Sequence, residues 1–583
     1  MRIRRHGLAG FTIAALALAS TALPQAAAAR SPIDALSDRY ITLLLRTYPE
    51  LVPLSGIEGA RQSALPPIDA ESLKTVAAEE DRLWQDLNGV DEAKLDDAGR
   101  ASYALMADGL EAARAQRVCK QPLWSISHMT GWQVNFSRLA QAQATGTPDA
   151  REDAIQRWES LPAYVDRDIA NLREGLKQGY AVPRSVVTRV IGQLDRLLAL
   201  PAEQSPFYAP ARADGDAAFK ARFKTIVAEG VHGAVKRYRD FLAGEYLPKA
   251  REGIALSELP NGAACYQALL RASTTLDRTP AEVMAVGEAA VAQNVKDIIA
   301  IGSKRFGTSD LASTLAAVKD APDNHFTTAD ELVDFSKRGL ARTTKLSAAA
   351  FQQLPKQPAA IEVLPATEAG SGVPAHYIPE PDPSKPGRYM LPLDHWKTET
   401  KGGAEITVVH ETIPGHHLQI AMTQELAAKV PLLRIPLVGA YVEGWARYSE
   451  RLAEELGVYE TPYAGITRRA WMARGMVVDP GIHAFGWSRE KAMAYLVESG
   501  RFDEAAAADM LDRIAVIPGQ LTSYDSGGLE IAALRAESEA SLGKCFNLPA
   551  FHQQVLAGGA LPLKALRGRI EAWQAATGKA CAK

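Results

Sequence analysis

"HETIPGHHLQ", His410 to Gln419, is the stretch on which the reading of this chain turns. The chain carries 11 histidines in 583 residues, and three of them fall in this window beside Glu411. Histidine and carboxylate are the usual donors of a hydrolytic zinc site, which takes three protein ligands and keeps one position open. On a regular helix such ligands stand four apart, because i and i+4 share a face. Here the fifth place is Pro414, and the histidines come later, at His416 and His417. A regular helix puts i and i+7 on one face but two turns apart, and an i+6 pair requires a distortion between its members. Pro414 and Gly415 supply one. Proline cannot donate to the carbonyl of His410 and clashes with it, and Ile413 before it is pushed out of helical geometry. Two local geometries follow: a kinked helix that returns a late histidine to His410, or a strand through "EITVV" running into a new helix that starts at Pro414.

A third ligand must come from elsewhere. "AYVEGWARYSERLAEELG", from Ala440, reads as a helix with Glu443 and Glu450 on one face. Glu450 reads as a solvated helix charge. Glu443 sits among Tyr441, Val442, Trp445 and Ala446, and a carboxylate in that company needs a partner, which favours it as a ligand.

The remainder of the chain is mostly helical in pattern. "SPIDALSDRYITLLLRTYPE", "ESLKTVAAEEDRLWQDL", "DAIQRWESLPAYVDRDIANLREGL" and "AAFKARFKTIVAEGVHGAVKRYRDFLAGEYLPKA" all place apolar residues at helical spacing. "TPAEVMAVGEAAVAQNVKDIIAIGSKRFG" adds Thr279 as N-cap and Pro280 in the first helical position. Near residue 355 the composition shifts to Pro and Gly with short β-like runs, so a small β and loop insertion is expected just before the histidine cluster. The fold class is therefore mostly α: a large multi-helix body with that insertion. A helical part over 30–355 and a histidine-bearing part over 356–583 are read as one domain.

Net charge is -3 and charged residues make up 23%, and no dense Lys/Arg run follows the N-terminus, so nucleic acid is not an expected partner. Residues 1–29 combine a basic start, an apolar run and an Ala tract, the pattern of a secretory signal peptide cleaved near Ala29. The run is short for a membrane span, and no second one appears. The mature chain is expected to be soluble, periplasmic or secreted, without stable membrane insertion. No Cys follows the signal, so no N-terminal lipidation is expected. Of three connectivities for the four cysteines, Cys119–Cys265 with Cys545–Cys581 is the expected one in an oxidising compartment. Oligomeric state is not set by the sequence.

The chain resembles the bacterial family known as domain of unknown function 885, grouped with zinc peptidases of the thermolysin-like superfamily. The resemblance rests on H-E-x-x-P-G-H-H-x-Q from His410 and E-G-W-A-x-Y-x-E from Glu443. "DPGIHAFGW" from Asp479, "PGQLTSYDSG" from Pro518 and "FHQQVLAGGALPL" from Phe551 extend it over essentially the whole mature chain. It implies a helical, gluzincin-like metallopeptidase that binds one zinc ion per chain. Relatives carry Gly before the second zinc histidine, which implies His410, His416 and Glu443 as ligands and His417 as the alternative to His416. This chain departs from the pattern at Asp525 and Gly475, where relatives often have Lys and Arg.

The implied reaction is hydrolysis of short peptides, by oligopeptidase or carboxypeptidase-like action. Zinc polarises the carbonyl and activates water, and Glu411 serves as general base. Tyr524 and His483, both in family motifs, are the candidates to stabilise the oxyanion. Arg388, Arg447 and Arg535 are candidates to hold a substrate carboxylate. The alternatives are a zinc hydrolase acting on an ester or non-peptide amide, and a non-catalytic metal-binding envelope protein.

Overall fold

The computed structural model describes residues 31–55, 57, 60–364, 374–380 and 382–582. The expected signal segment lies outside the described residues. The described chain is mostly helical, with one small sheet. No helix among the described residues is long and apolar enough to cross a membrane.

Local signals set many helix starts. Ser31 caps Pro32–Thr47 through a reciprocal pair with Asp34, and Thr279 caps Pro280–Phe306 in the same way with Glu282. The segment after Asp216 is one continuous helical run from Ala217 to Tyr246, but it widens to π geometry over Ile226–Val231 and Leu242–Tyr246. Each widened stretch contains a glycine, Gly230 or Gly244, which weakens the regular helix.

Two large apolar clusters form the body, and each draws on both sides of residue 355. One joins Trp158, Val187, Tyr238 and Tyr266 to Met476, Ile482 and Leu511. The other joins Ile33, Leu83 and Leu110 to Tyr441, Trp445, Ile531 and Phe551. Disulfides link Cys119 to Cys265 and Cys545 to Cys581.

The insertion before the histidines is a sheet of three strands, β1 (Ala359–Val363), β2 (His376–Ile378) and β3 (Gly387–Leu391). Their order is β1-β3-β2, with β1 parallel and β2 antiparallel to the central β3. Ile361, Tyr389 and Leu391 pack on Phe335 of helix Ala329–Ser347 and on Ala404 and Val408 of α1 (Lys401–Glu411). The sheet thus covers the helix that carries His410.

"EITVV" is the middle of α1, so the strand alternative for it does not hold. Its β-branched residues serve packing instead. Thr400 caps the helix through Gly403 N–H at 3.0 Å, and Val408 and Val409 are buried in two different apolar clusters.

His552, fully buried, ties the C-terminal helices to the rest. One ring nitrogen bonds the Ala350 carbonyl at 2.7 Å and the other the Tyr448 hydroxyl at 2.7 Å. Burial holds its pKa down at about 4. The unfolded chain therefore binds a proton near pH 6.5 that the folded chain refuses until about pH 4. Its contribution is complete above pH 6.5 and is lost as pH falls towards 4. Urea titrations are expected to show a smaller loss of stability between pH 6.5 and 4 in His552→Asn than in the wild-type chain.

Candidate metal centre

The break at Pro414 is built as a closed turn. α1 ends at Glu411, and α2 (His416–Leu426) begins at His416, two residues beyond the Pro414 start considered from sequence. The Ile413–Pro414 peptide is cis. Gly415 N–H returns to the Val409 carbonyl at 3.1 Å, which closes the loop between the helices. A Cβ on Gly415 would lie 2.1 Å from the His410 carbonyl oxygen, so only glycine fits. The turn's free carbonyls are satisfied from outside. Thr343 Oγ1 donates to Ile413 O at 2.7 Å. From α3 (Gly439–Glu455), Trp445 Nε1 and Ser449 Oγ donate to Pro414 O at 2.8 and 3.1 Å.

The consequence is that the rings of His410 and His416 meet edge to face, with centroids 4.6 Å apart and planes 85° from parallel. Glu443 of α3 reaches both: its Oε2 lies 3.4 Å from His410 Nε2 and 3.6 Å from His416 Nε2. That oxygen is buried and accepts no hydrogen bond. Glu411 stands beside them. His410, Glu411 and His416 each bring a ligating atom within 4.8 Å of the other two, and Glu411 Oε2 is likewise buried without a partner. Two imidazoles and two carboxylates therefore converge, and Glu443 is the carboxylate closest to both ring nitrogens.

Glu450 departs from the reading as a solvated charge. Only 1% of its side chain is exposed. Two turns after Glu443 on the same face of α3, it bonds His410 Nδ1 at 2.9 Å and fixes which nitrogen faces Glu443. Arg447 Nη1 donates to both Glu450 oxygens, at 3.0 and 3.2 Å. This outer layer was not read from the sequence, although the seven-residue spacing and the intervening arginine are its signal. α3 is held against α4 (Gln520–Leu542) by a glycine contact: a Cβ on Gly444 would lie 2.5 Å from Gly527 Cα.

The charges follow from these contacts. Burial would raise the Glu443 carboxyl, but His410 and His416 outweigh it and hold the group well below the usual range. Burial also opposes ionisation of Glu450, and Arg447 and His410 bring it down to about 2. Burial would lower His410, yet its two glutamate partners raise it to about 10. Burial dominates at Glu411 and raises its carboxyl, against the pull of both imidazoles.

Other residues read from the sequence lie in different settings. His417 is not part of the cluster. Its Nδ1 bonds the Tyr377 hydroxyl at 3.1 Å and its Nε2 the Gln357 carbonyl at 3.0 Å, which anchors the sheet to α2. His483 has no nitrogen left for an oxyanion: Nδ1 accepts from Leu256 N–H and Nε2 donates to Ile514 O, each at 3.0 Å. Burial lowers its pKa to about 3 and keeps it neutral. Tyr524 is half-buried, under the Arg447 guanidinium at 5.8 Å. Its oxygen lies 3.4 Å from donors on Arg513 and Gln520, which leaves its own hydrogen free to donate. Arg535 is tied to Glu455 and Glu539, and Arg388 faces Glu362 across β1 and β3. At the two departures, Gly475 packs on Leu521 and Asp525 Oδ1 lies 3.7 Å from Arg447 Nε.

The family described as "Bacterial protein of unknown function (DUF885)" matches residues 49–570. Two solved structures share the fold. A "putative lipoprotein from Colwellia psychrerythraea" superposes with a TM-score of 0.83 at 24% identity, over 94% of this chain and 100% of that one. A "putative lipoprotein of unknown function from Shewanella oneidensis" gives 0.75 at 21% identity, over 93% and 99%. No curated protein matches the chain.

The turn makes a paired test available. Gly415→Ala drives a methyl group into the His410 carbonyl, and about 1–3 kcal/mol of stability or more is expected to be lost. Gly439→Ala, where a Cβ meets nothing within 4 Å, is expected to leave the melting temperature near that of the wild type.

Proposed function

The protein belongs to the DUF885 family, and on that premise we propose that it is an exported zinc metallopeptidase that hydrolyses short peptides. The observation that carries this reading is the Glu443 Oε2 atom. It is buried, it has no hydrogen-bond partner, and it sits 3.4 and 3.6 Å from two imidazole nitrogens. Donors bound to a tetrahedral zinc at about 2.0–2.1 Å stand roughly 3.3 Å from one another, so the set fits that ion. His410, His416 and Glu443 would hold it, and Glu450 would orient His410 from behind. Bound there, a zinc ion supplies Lewis-acid polarisation of the scissile carbonyl and a lowered pKa for water.

The remaining work falls to this chain's own groups. Glu411, beside the ligands and with one oxygen unbonded, takes the proton from the attacking water. Its raised pKa then suits it to return that proton to the leaving amine nitrogen. Tyr524, whose hydrogen is free, is the candidate donor to the developing oxyanion. Export is supported by the basic, apolar and Ala-rich N-terminus and by the two disulfides. The lipoprotein descriptions of the two similar structures agree with it.

Metal content and peptide digestion, measured on the same samples, test the reading. The wild-type chain is expected to hold about one zinc and to cleave unstructured peptides. His410→Ala and Glu443→Ala are expected to lose both properties. Glu411→Gln is expected to keep the metal and lose about 10²- to 10⁴-fold in turnover. Glu450→Ala is expected to weaken zinc binding by about 10- to 100-fold. A zinc-loaded wild type that cleaves esters and no peptide would contradict the proposal, and so would one that binds no zinc.

A further inference from the structure

Two buried atoms behind the histidine cluster face one another without a hydrogen bond. Arg447 lies one turn beyond Glu443 on α3 and donates through Nη1 to both oxygens of Glu450. Its Nε is buried and has no hydrogen-bond partner. Asp525 Oδ1, on α4, is buried without a partner as well, and it lies 3.7 Å from that Nε. The two side chains are 13% and 3% exposed. No water fits between atoms this close, so the pair meets directly.

The backbone fixes the arrangement. A Cβ on Gly528 would lie 2.8 Å from Arg447 Cβ, so α4 meets the stem of the arginine with bare backbone. Tyr524 and Asp525, one turn earlier on α4, bracket the guanidinium. The Tyr524 ring lies 5.8 Å from it, and Asp525 stands beside Nε.

A buried carboxylate oxygen without a hydrogen bond is costly to keep, and shape does not ask for it, since asparagine has the same outline. What Asp525 adds is charge. Arg447 is one cation between two carboxylates, Glu450 on one side and Asp525 on the other. Unopposed, it would draw on Glu450 and repel a second cation at the histidines. Asp525 offsets it, and Glu450 keeps its charge for His410 Nδ1, 2.9 Å away. The line Asp525, Arg447, Glu450, His410 ends at the ring whose other nitrogen faces Glu443.

We propose that Asp525 is a positioning residue for the metal centre, acting through Arg447 and Glu450 to hold the His410 ring with Nε2 turned toward a bound dication. This rests on the zinc site of the reading above, and its test needs no turnover. Zinc affinity of the full-length protein would be measured by chelator competition for the wild type, Asp525→Asn, Glu450→Gln and the double variant. Asp525→Asn is expected to weaken zinc binding by about 3- to 10-fold, less than the roughly 10- to 100-fold of a directly bonded partner. In the Glu450→Gln background the same change is expected to cost less than about twofold, because the link to His410 is gone. A role in packing alone would cost the same in both backgrounds. Asp525→Ser, smaller and also neutral, is the second variant and is expected to follow Asp525→Asn. Unchanged zinc affinity in both Asp525 variants, or a loss that persists undiminished in Glu450→Gln, would overturn the inference. The peptidase reading fails on a different result: a zinc-loaded wild-type chain that cleaves no peptide.

Discussion

The structure of the site depends on how the chain passes from Glu411 to His416. A helix that continued would put His416 on another face from His410, and Pro414 forbids it from continuing. What replaces the helix is a turn with three fixings. Gly415 N–H bonds back to Val409, Thr343 holds the Ile413 carbonyl, and Trp445 and Ser449 hold the Pro414 carbonyl. Buried carbonyls left without donors would make such a turn costly, so the helices that supply the donors and the turn itself specify one another.

That mutual dependence extends outward through α3. The same helix that supplies Trp445 and Ser449 to the turn supplies Glu443 to the two imidazoles and Glu450 to the back of His410. Its position is set in turn by α4, against which Gly444 and Gly527 allow backbone contact. The sheet closes the other side, with His417 as its tie to α2. Adjacent histidines thus do unlike jobs. His416 faces Glu443, and His417, one residue on and turned by about 100° around the helix, faces the strands.

Much of this was legible in the sequence where local chemistry decides. The cap at Thr279, the mostly helical body and the small sheet before the histidines all follow from short-range signals. "EITVV" misled because β-branched residues favour strands on average, whereas here the Thr400 cap and two apolar contacts keep them helical. Within the site, Pro414 and Gly415 announced a distortion, and Glu443 was marked by its apolar neighbours. Glu450 was hidden because a glutamate on a helix is usually solvated, and its partner lies 40 residues away in the chain. His483 looked functional by its motif, yet its nitrogens serve the Leu256 N–H and the Ile514 carbonyl, contacts that no local pattern records.

The measurement that bears most directly on the central claim is anomalous diffraction at the zinc edge from crystals of the zinc-loaded, full-length protein. The account predicts one strong peak per chain, bounded by His410 Nε2, His416 Nε2 and a Glu443 oxygen at about 2.0–2.2 Å, with a fourth position open to solvent. A peak bounded by His417, a sphere closed by four protein ligands, or no peak between His410 and His416 would contradict it.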